Sequence, residues 1–92
     1  MDKQLKDYND LYQFLCSLRD SLSAHGLKEA SDKIDRASHF FYGSPTEFLG
    51  ESRIALLAVR NHAKNDLSDD QVNAIDSVVA QINAAFRAIG GG

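Results

Sequence analysis

The chain has few side chains of the types that perform chemistry, and its cysteine and histidines are the first to consider. Cys16 is the only cysteine among the 92 residues, so an intramolecular disulfide is excluded. It lies among leucines and a phenylalanine, a setting typical of a small apolar residue rather than a reactive thiol. His25, His39 and His62 are far apart in the sequence. Zinc and di-iron sites need clustered ligands, and we therefore expect no metal and no cofactor.

Two glutamates form a close pair of carboxylates that could serve in catalysis. Glu47 and Glu51 are four residues apart, and such a pair on one helix can divide the roles of acid and base. However, Ser44-Pro45-Thr46-Glu47 is a helix-start signature in which Ser44 caps and Glu47 completes a capping box. No nucleophile motif and no phosphate-binding glycine loop accompanies the pair. The sequence therefore predicts a protein that is not an enzyme.

Three basic residues form a stripe that could bind an acidic partner or a phosphate group. Arg53 and Arg60 are seven residues apart and share a helix face, and Lys64 lies about 40° further round. The alternative is a solvated helix edge on which Arg60 and Lys64 complement the helix C-terminus. A net charge of −3 argues against a nucleic-acid partner.

The run Phe40-Phe41-Tyr42 is the best sequence pointer to a binding surface. Successive helical residues lie about 100° apart, so three aromatic side chains span about 200°. Phe41 continues an apolar series from Ala37, which places Phe40 or Tyr42 at the edge of the core or outside it. An exposed aromatic ring there suits a protein interface. Alternatively, the third helix covers both rings at a sharp corner.

These residues must be positioned by helices, because apolar side chains recur every three or four residues along the chain. Gly26, Gly43 and Gly90 are placed to end helices, and Ser44 and Ser68 begin capping boxes. The predicted helices span residues 3–25, 28–42, 45–64 and 69–89.

Short connections between helices favour antiparallel neighbours, so we predict a small all-α, up-down four-helix bundle. One domain would cover residues 1–92, with Gly90 to Gly92 as a frayed tail. The third helix is apolar over more than one face and should be the most buried. A close helix crossing would explain Gly50 in its first turns. No apolar run reaches the length of a membrane span or a signal peptide, which predicts a cytoplasmic protein with no membrane partner.

The stretch from Ala24 to Ser31 reads Ala-His-Gly-Leu-Lys-Glu-Ala-Ser and resembles the phosphoacceptor motif of histidine phosphotransfer domains, which are helical bundles. The resemblance implies that His25 accepts a phosphoryl group and that Lys28 stabilises it. The chain departs from the family motif at two positions. Glu29 replaces a small glycine, and Gly26 lies where the family has continuous helix.

The general character of the chain is similar to that of bacterial immunity proteins, which are often small, acidic and helical. Such proteins present acidic residues to a basic toxin surface, which speeds association more than it strengthens binding. Capping and solvation are the alternative roles of these side chains. The aspartates considered for this surface are Asp66, Asp69, Asp70 and Asp76.

The sequence thus predicts a non-enzymatic protein-binding module, such as an inhibitor, an immunity-type protein or an adaptor. The alternatives are phosphotransfer through His25 and a structural homodimer. The predicted partner-binding residues are Phe40, Tyr42, Arg53, Arg60, Lys64, Asp66, Asp69 and Asp70. The homodimer would use a strip of mostly small residues that serves either as an interface or as a second buried face: Ala74, Val78, Gln81, Ala85 and Ala88.

Overall fold

A computed structural model describes residues 4–89, and these residues form four α-helices with no strand among them. Two short 3-10 segments, His39–Tyr42 and Lys64–Asp66, lie between helices. The predicted fraying at 90–92 falls outside the described residues. The helices are α1 (Tyr8–Ala24), α2 (Lys28–Ser38), α3 (Pro45–His62) and α4 (Asp69–Ile89).

Helices α1 and α2 are antiparallel, as their contacts at both ends show. Near the end of α1, the carbonyl of Arg19 accepts a hydrogen bond of 3.0 Å from the Ser31 hydroxyl early in α2. Near the start of α1, the Tyr12 ring stacks on Phe41, which follows α2. These two contacts fix the reversal of direction between the helices.

The remaining neighbours also alternate in direction. Arg53, in the first half of α3, donates a 2.8 Å hydrogen bond to Asn83 in the second half of α4. Gln71, near the start of α4, donates to the Ser21 hydroxyl near the end of α1 at 3.0 Å. The predicted up-down four-helix bundle is therefore confirmed.

A single hydrophobic core lies between the four helices, and each helix contributes side chains to it. Burial of this kind is the main stabilising term, worth about 1.5–3 kcal/mol for each large apolar side chain. The largest fully buried apolar residues are Phe48, Leu11, Leu15, Leu22, Ile34, Leu56, Ile75 and Ile82.

Helix α1 begins later than predicted, at Tyr8 rather than near residue 3. The Asp7 carboxylate accepts from the Asp10 backbone N–H at 2.9 Å, and the Asp10 carboxylate accepts from the Lys6 N–H at 2.8 Å. These reciprocal bonds act as a capping box and fix the start of the helix. The preceding segment crosses to α4, where the Leu5 N–H donates to Gln81 at 2.8 Å.

Helix α2 ends earlier than predicted, at Ser38 rather than at residue 42. The buried Ser38 hydroxyl donates to the Asp35 carbonyl at 2.6 Å, and side-chain bonds of this kind compete with helical pairing. The aromatic run then continues as a tighter 3-10 turn, closed by a 3.0 Å bond from the Gly43 N–H to the Phe40 carbonyl.

The two predicted capping boxes have different outcomes. Ser68 and Gln71 exchange hydrogen bonds of 2.9 and 3.1 Å, and α4 spans the residues predicted for it. Ser44 occupies the N-cap of α3, but its side chain makes no capping bond, so that box is wrong. Helix α3 ends at His62 rather than at the predicted residue 64, because Ala63 leaves the helical conformation and a 3-10 turn follows.

Helix α3 is deeply buried on its inner face, but its outer face is not covered. Ile54 is 62% exposed and Leu57 is 39% exposed. The close helix crossing that was expected at Gly50 does not require a glycine at this position. A methyl group added there would lie 3.8 Å from the Phe86 ring, an ordinary van der Waals contact.

Candidate protein-binding surface

An aromatic cluster forms where the 3-10 turn after α2 meets α1 and α3. The Tyr12 and Phe41 rings stack with centroids 4.5 Å apart. The Tyr42 ring presents an edge to both, at 6.0 Å from Tyr12 and 5.2 Å from Phe41. Phe41 also meets the buried Phe48 ring at 5.6 Å, which anchors the cluster to the core. Offset and edge contacts of this kind are the favourable arrangements for aromatic rings.

The polar atoms of this cluster are linked as well. Hydrogen bonding to the Tyr42 side chain raises the pKa of Tyr12 from 10.0 to about 12, and hydrogen bonding to the Cys16 side chain is the second largest cause of the rise. A raised pKa means that the neutral phenol of Tyr12 is the form favoured in the folded protein. Tyr42 is therefore held by two ring contacts and by a polar contact.

The two outer aromatic residues of the run have different environments. Tyr42 is 76% exposed, the largest value among the exposed large apolar side chains. Phe40 is half-buried and lies at the groove between α2 and α3, beside Ala37 and Ile54. The third helix therefore does not cover both rings, and Tyr42 is the ring that faces solvent.

Two more exposed apolar side chains lie at the same end of the bundle as Tyr42. The up-down topology brings together the start of α1, the end of α2 and the end of α4. Tyr8 begins α1 and is 40% exposed, and Ile89 ends α4 and is 52% exposed. This end of the bundle therefore carries three of the five large apolar side chains that are exposed among residues 4–89.

The two arginines of the predicted basic stripe contact α4, whereas Lys64 is exposed beyond the end of α3. The Arg53 guanidinium donates to Asn83 and lies 4.6 Å from the centroid of the Phe86 ring. Arg60 makes a two-point ion pair with Asp76, which raises the pKa of its guanidinium above the usual value. Both arginines thus join α3 to α4, and Asp76 is committed to this contact.

The charged residues at the α3–α4 connection lie at the other end of the bundle from Tyr42. Lys64 is exposed there, beside the aspartates. Helix α3 has 18 residues, which corresponds to about 27 Å between its ends. The structure therefore does not bring all the predicted partner-binding residues into one surface. The aspartates, all exposed, are Asp66, Asp69 and Asp70.

His25 is exposed and lies at the C-cap of α1, where its Nδ1 is 2.8 Å from the Ser21 carbonyl oxygen. Gly26 follows with a φ of +76°, a left-handed conformation that suits glycine and closes the helix. The continuous helix of the phosphotransfer motif is thus interrupted directly after His25.

The small-residue strip on α4 is largely turned inward. Val78 is fully buried, and Ala74, Gln81 and Ala85 are half-buried. The Gln81 side chain also accepts the bond from the Leu5 N–H. Most of the strip is therefore at least partly buried, whereas Ala88 is exposed.

Sequence reasoning missed the exposure of Tyr8 and Ile89 and two further features of the surface. The role of Tyr12 as a support for Tyr42 depends on contacts between different elements, for which the chain has no local signal. The outward position of Ile54 and Leu57 had a signal, since a helix that is apolar all round must expose part of its apolar surface in so small a bundle.

Comparison with protein families, with curated proteins and with solved structures finds no match to the chain. Among residues 4–89, no three His, Cys, Asp or Glu side chains are grouped as metal ligands would be. None of the described helices has the length and apolarity needed to cross a membrane.

Proposed function

We propose that the chain is a non-enzymatic, cytoplasmic protein-binding module that holds its partner at the end of the bundle carrying Tyr42. One observation carries this proposal: the Tyr42 ring is 76% exposed while it rests against Tyr12 and Phe41. A large ring in this setting has apolar surface to bury and little conformational freedom to lose on binding.

Pre-organisation of the Tyr42 ring lowers the free-energy cost of binding a partner. Ordering a flexible side chain at an interface costs about 0.5–1.5 kcal/mol, and that cost falls when the free protein already holds the ring in place. Tyrosine is also among the residues that most often contribute strongly to protein interfaces. The aromatic support of Tyr42 therefore favours a role in recognition.

Neighbouring groups extend this surface. Tyr8 and Ile89 are exposed at the same end and supply further apolar area. An interface core of aromatic and aliphatic side chains surrounded by polar residues is typical of protein complexes. A partner of the inhibitor, immunity or adaptor class would present a complementary apolar pocket for Tyr42.

The exposed aspartates support a separate contribution to binding rates. A partner with a basic surface would be attracted by Asp66, Asp69 and Asp70, and this attraction would weaken as salt is added. Because these residues lie at the opposite end from Tyr42, they act on diffusional approach rather than on the final contact.

Affinity capture from a native cell lysate tests the proposal, using the intact chain and two single variants. We expect a stoichiometric partner with the wild type and its loss with Tyr42→Ala. His25→Ala is the matched control, because His25 is an exposed ring at the other end of the bundle. A partner captured equally by Tyr42→Ala, or no stoichiometric partner with the folded wild type, would overturn the proposal.

Phosphotransfer through His25 remains the second candidate, on the strength of the motif resemblance and the exposure of the ring. Incubation with a phosphorylated response regulator, or with a histidine kinase and ATP, tests it. Acid-labile phosphate on the wild type that is absent from His25→Ala would support this candidate. The absence of such phosphate from the wild type would end it.

A further inference from the structure

The segment before α1, residues 4–7, lies across the bundle as a strap between α1 and α4. Its Leu5 side chain is half-buried and packs against the hydrophobic core, whereas the other three strap residues are exposed. The Leu5 N–H also donates a 2.8 Å hydrogen bond to the Gln81 side chain of α4. Leu5 therefore attaches the strap to the bundle by an apolar contact and by a backbone hydrogen bond.

The strap borders an apolar cavity of about 400 Å³ between α1, α3 and α4. The cavity lining includes Leu11, Leu49 and Ile82, one from each of these helices. Each of the three side chains is at most 4% exposed. Because Leu5 lines the same cavity from the strap, it contributes to shielding this apolar lining from solvent.

The start of α1 is fixed by bonds that do not involve the contact between the strap and α4. The Asp7 carboxylate accepts from the Asp10 N–H, and the Asp10 carboxylate accepts from the Lys6 N–H. Both bonds are local to the helix start. Release of Leu5 from Gln81 therefore leaves the helix cap in place, so that the strap can open as a local unit while the bundle stays folded.

The cavity lies at the end of the bundle that carries Tyr42. Tyr8, which is 40% exposed, both lines the cavity and belongs to the surface proposed for the partner. Leu5 indicates which chemistry fits this position, since an aliphatic side chain packs on the core while its own backbone N–H bonds Gln81. A non-helical segment of another protein can offer the same two groups.

We propose that the strap is an autoinhibitory contact, in which Leu5 occupies the position that an aliphatic side chain of the partner takes once the strap is released. This inference rests on the proposed function, because the partner is the protein bound at the Tyr42 end. Release of the strap exposes the apolar lining of the cavity and so increases the apolar area that binding can bury. The affinity of the wild type is then reduced by the fraction of molecules whose strap is closed.

Native-state hydrogen exchange of the wild type tests whether the strap opens by itself. The Leu5 N–H should exchange faster than the N–H of Leu15, which is fully buried in the core. Denaturant should accelerate the exchange of Leu15 and leave that of Leu5 almost unchanged, because opening of the strap exposes little surface. Exchange of Leu5 only through global unfolding, or as fast as in an unstructured peptide, would overturn the proposal.

Leu5→Ser tests what the strap covers, and Gln4→Ser is the matched control, because Gln4 is an exposed residue of the same strap. The apolar dye anilinonaphthalene sulfonate should fluoresce severalfold more strongly with Leu5→Ser than with the wild type, and Gln4→Ser should match the wild type. A cooperative unfolding transition would establish that each variant remains folded. Equal dye fluorescence from the three folded proteins would overturn the proposal. If Leu5→Ser does not fold, the exchange measurement on the wild type still decides.

Binding of the partner captured with the wild type tests the autoinhibitory role. Leu5→Ser should lower the dissociation constant severalfold, because it raises the fraction of molecules with an open strap, whereas Gln4→Ser should leave the constant unchanged. Unchanged or weaker binding by a folded Leu5→Ser would overturn the proposal. The exchange and dye measurements need no partner, and Tyr42→Ala tests the proposed function separately, so failures of the two proposals are distinguishable.

Discussion

At the scale of single residues, several polar and aromatic side chains make contacts that join elements of the fold. Tyr12 supports the position of Tyr42 through its ring contact, and Arg53 joins two helices. Sequence reasoning identified Phe40 and Tyr42 as candidates but could not decide which of them is exposed. That choice depends on where α3 crosses the 3-10 turn, which is a property of packing and not of local periodicity.

The contact between Tyr12 and Tyr42 gives a testable pH dependence. Because the pKa of Tyr12 is raised from 10.0 to about 12, its stabilising contribution is fully present below pH 10 and is lost as the pH rises through 12. In a spectrophotometric titration, one tyrosine should ionise near pH 12. Tyr42→Phe should move that pKa back towards 10, whereas Tyr8→Phe should not. An unchanged high pKa in Tyr42→Phe would contradict the contact.

The buried serines provide a second test at this scale. Ser52 is fully buried, and its hydroxyl has no hydrogen-bond partner among the described residues. A buried polar group without a partner is costly, so Ser52→Ala should raise the free energy of unfolding by about 1 kcal/mol. Ser31 is the matched control, because its hydroxyl bonds the Arg19 carbonyl. Ser31→Ala should lower the free energy of unfolding by about 1 kcal/mol.

Denaturant unfolding of both variants measures these changes. Destabilisation of Ser52→Ala comparable to that of Ser31→Ala would mean that the Ser52 hydroxyl does make a stabilising bond.

At the scale of helices, the sequence predicted most of the architecture. The period of apolar residues identified all four helices, and the capping box at Ser68 fixed the start of α4. The errors lie at helix ends, where short side-chain bonds decide between competing conformations. Asp7 and Asp10 start α1 late, and Ser38 ends α2 early. The sequence allows such bonds but does not determine whether they form.

The two N-cap serines give a matched prediction at this scale. Ser68→Ala removes a capping bond to the Gln71 N–H and should lower the free energy of unfolding by about 1 kcal/mol. Ser44→Ala should have almost no effect, because the Ser44 side chain makes no capping bond. Thermal or denaturant unfolding of the two variants measures the difference. Equal losses would contradict the geometry of the two caps.

At the scale of the whole molecule, the surface has two separate ends and an uncovered face. Tyr42, Tyr8 and Ile89 mark one end, and the aspartates of the α3–α4 connection mark the other. The sequence predicted Tyr42 and the aspartates as binding residues but not Tyr8 or Ile89, and only the bundle topology separates the two ends. The sequence likewise did not pair Arg60 with Asp76, because Asp76 lies sixteen residues further along the chain on α4.

The electrostatic contribution of the bundle as a whole follows from its net charge of −3 and the exposed aspartates. If the partner is basic, association should slow as salt is added, while the dissociation rate should change little. The apolar contact at Tyr42 should instead control how long the complex lasts.

The most direct test of this account is a binding titration of the captured partner against the wild type, Tyr42→Ala and His25→Ala. Tyr42→Ala should raise the dissociation constant by about thirtyfold, which corresponds to the loss of about 2 kcal/mol expected for an aromatic anchor. His25→Ala should bind as the wild type does. Equal affinities of Tyr42→Ala and the wild type would contradict the claim that Tyr42 anchors the partner.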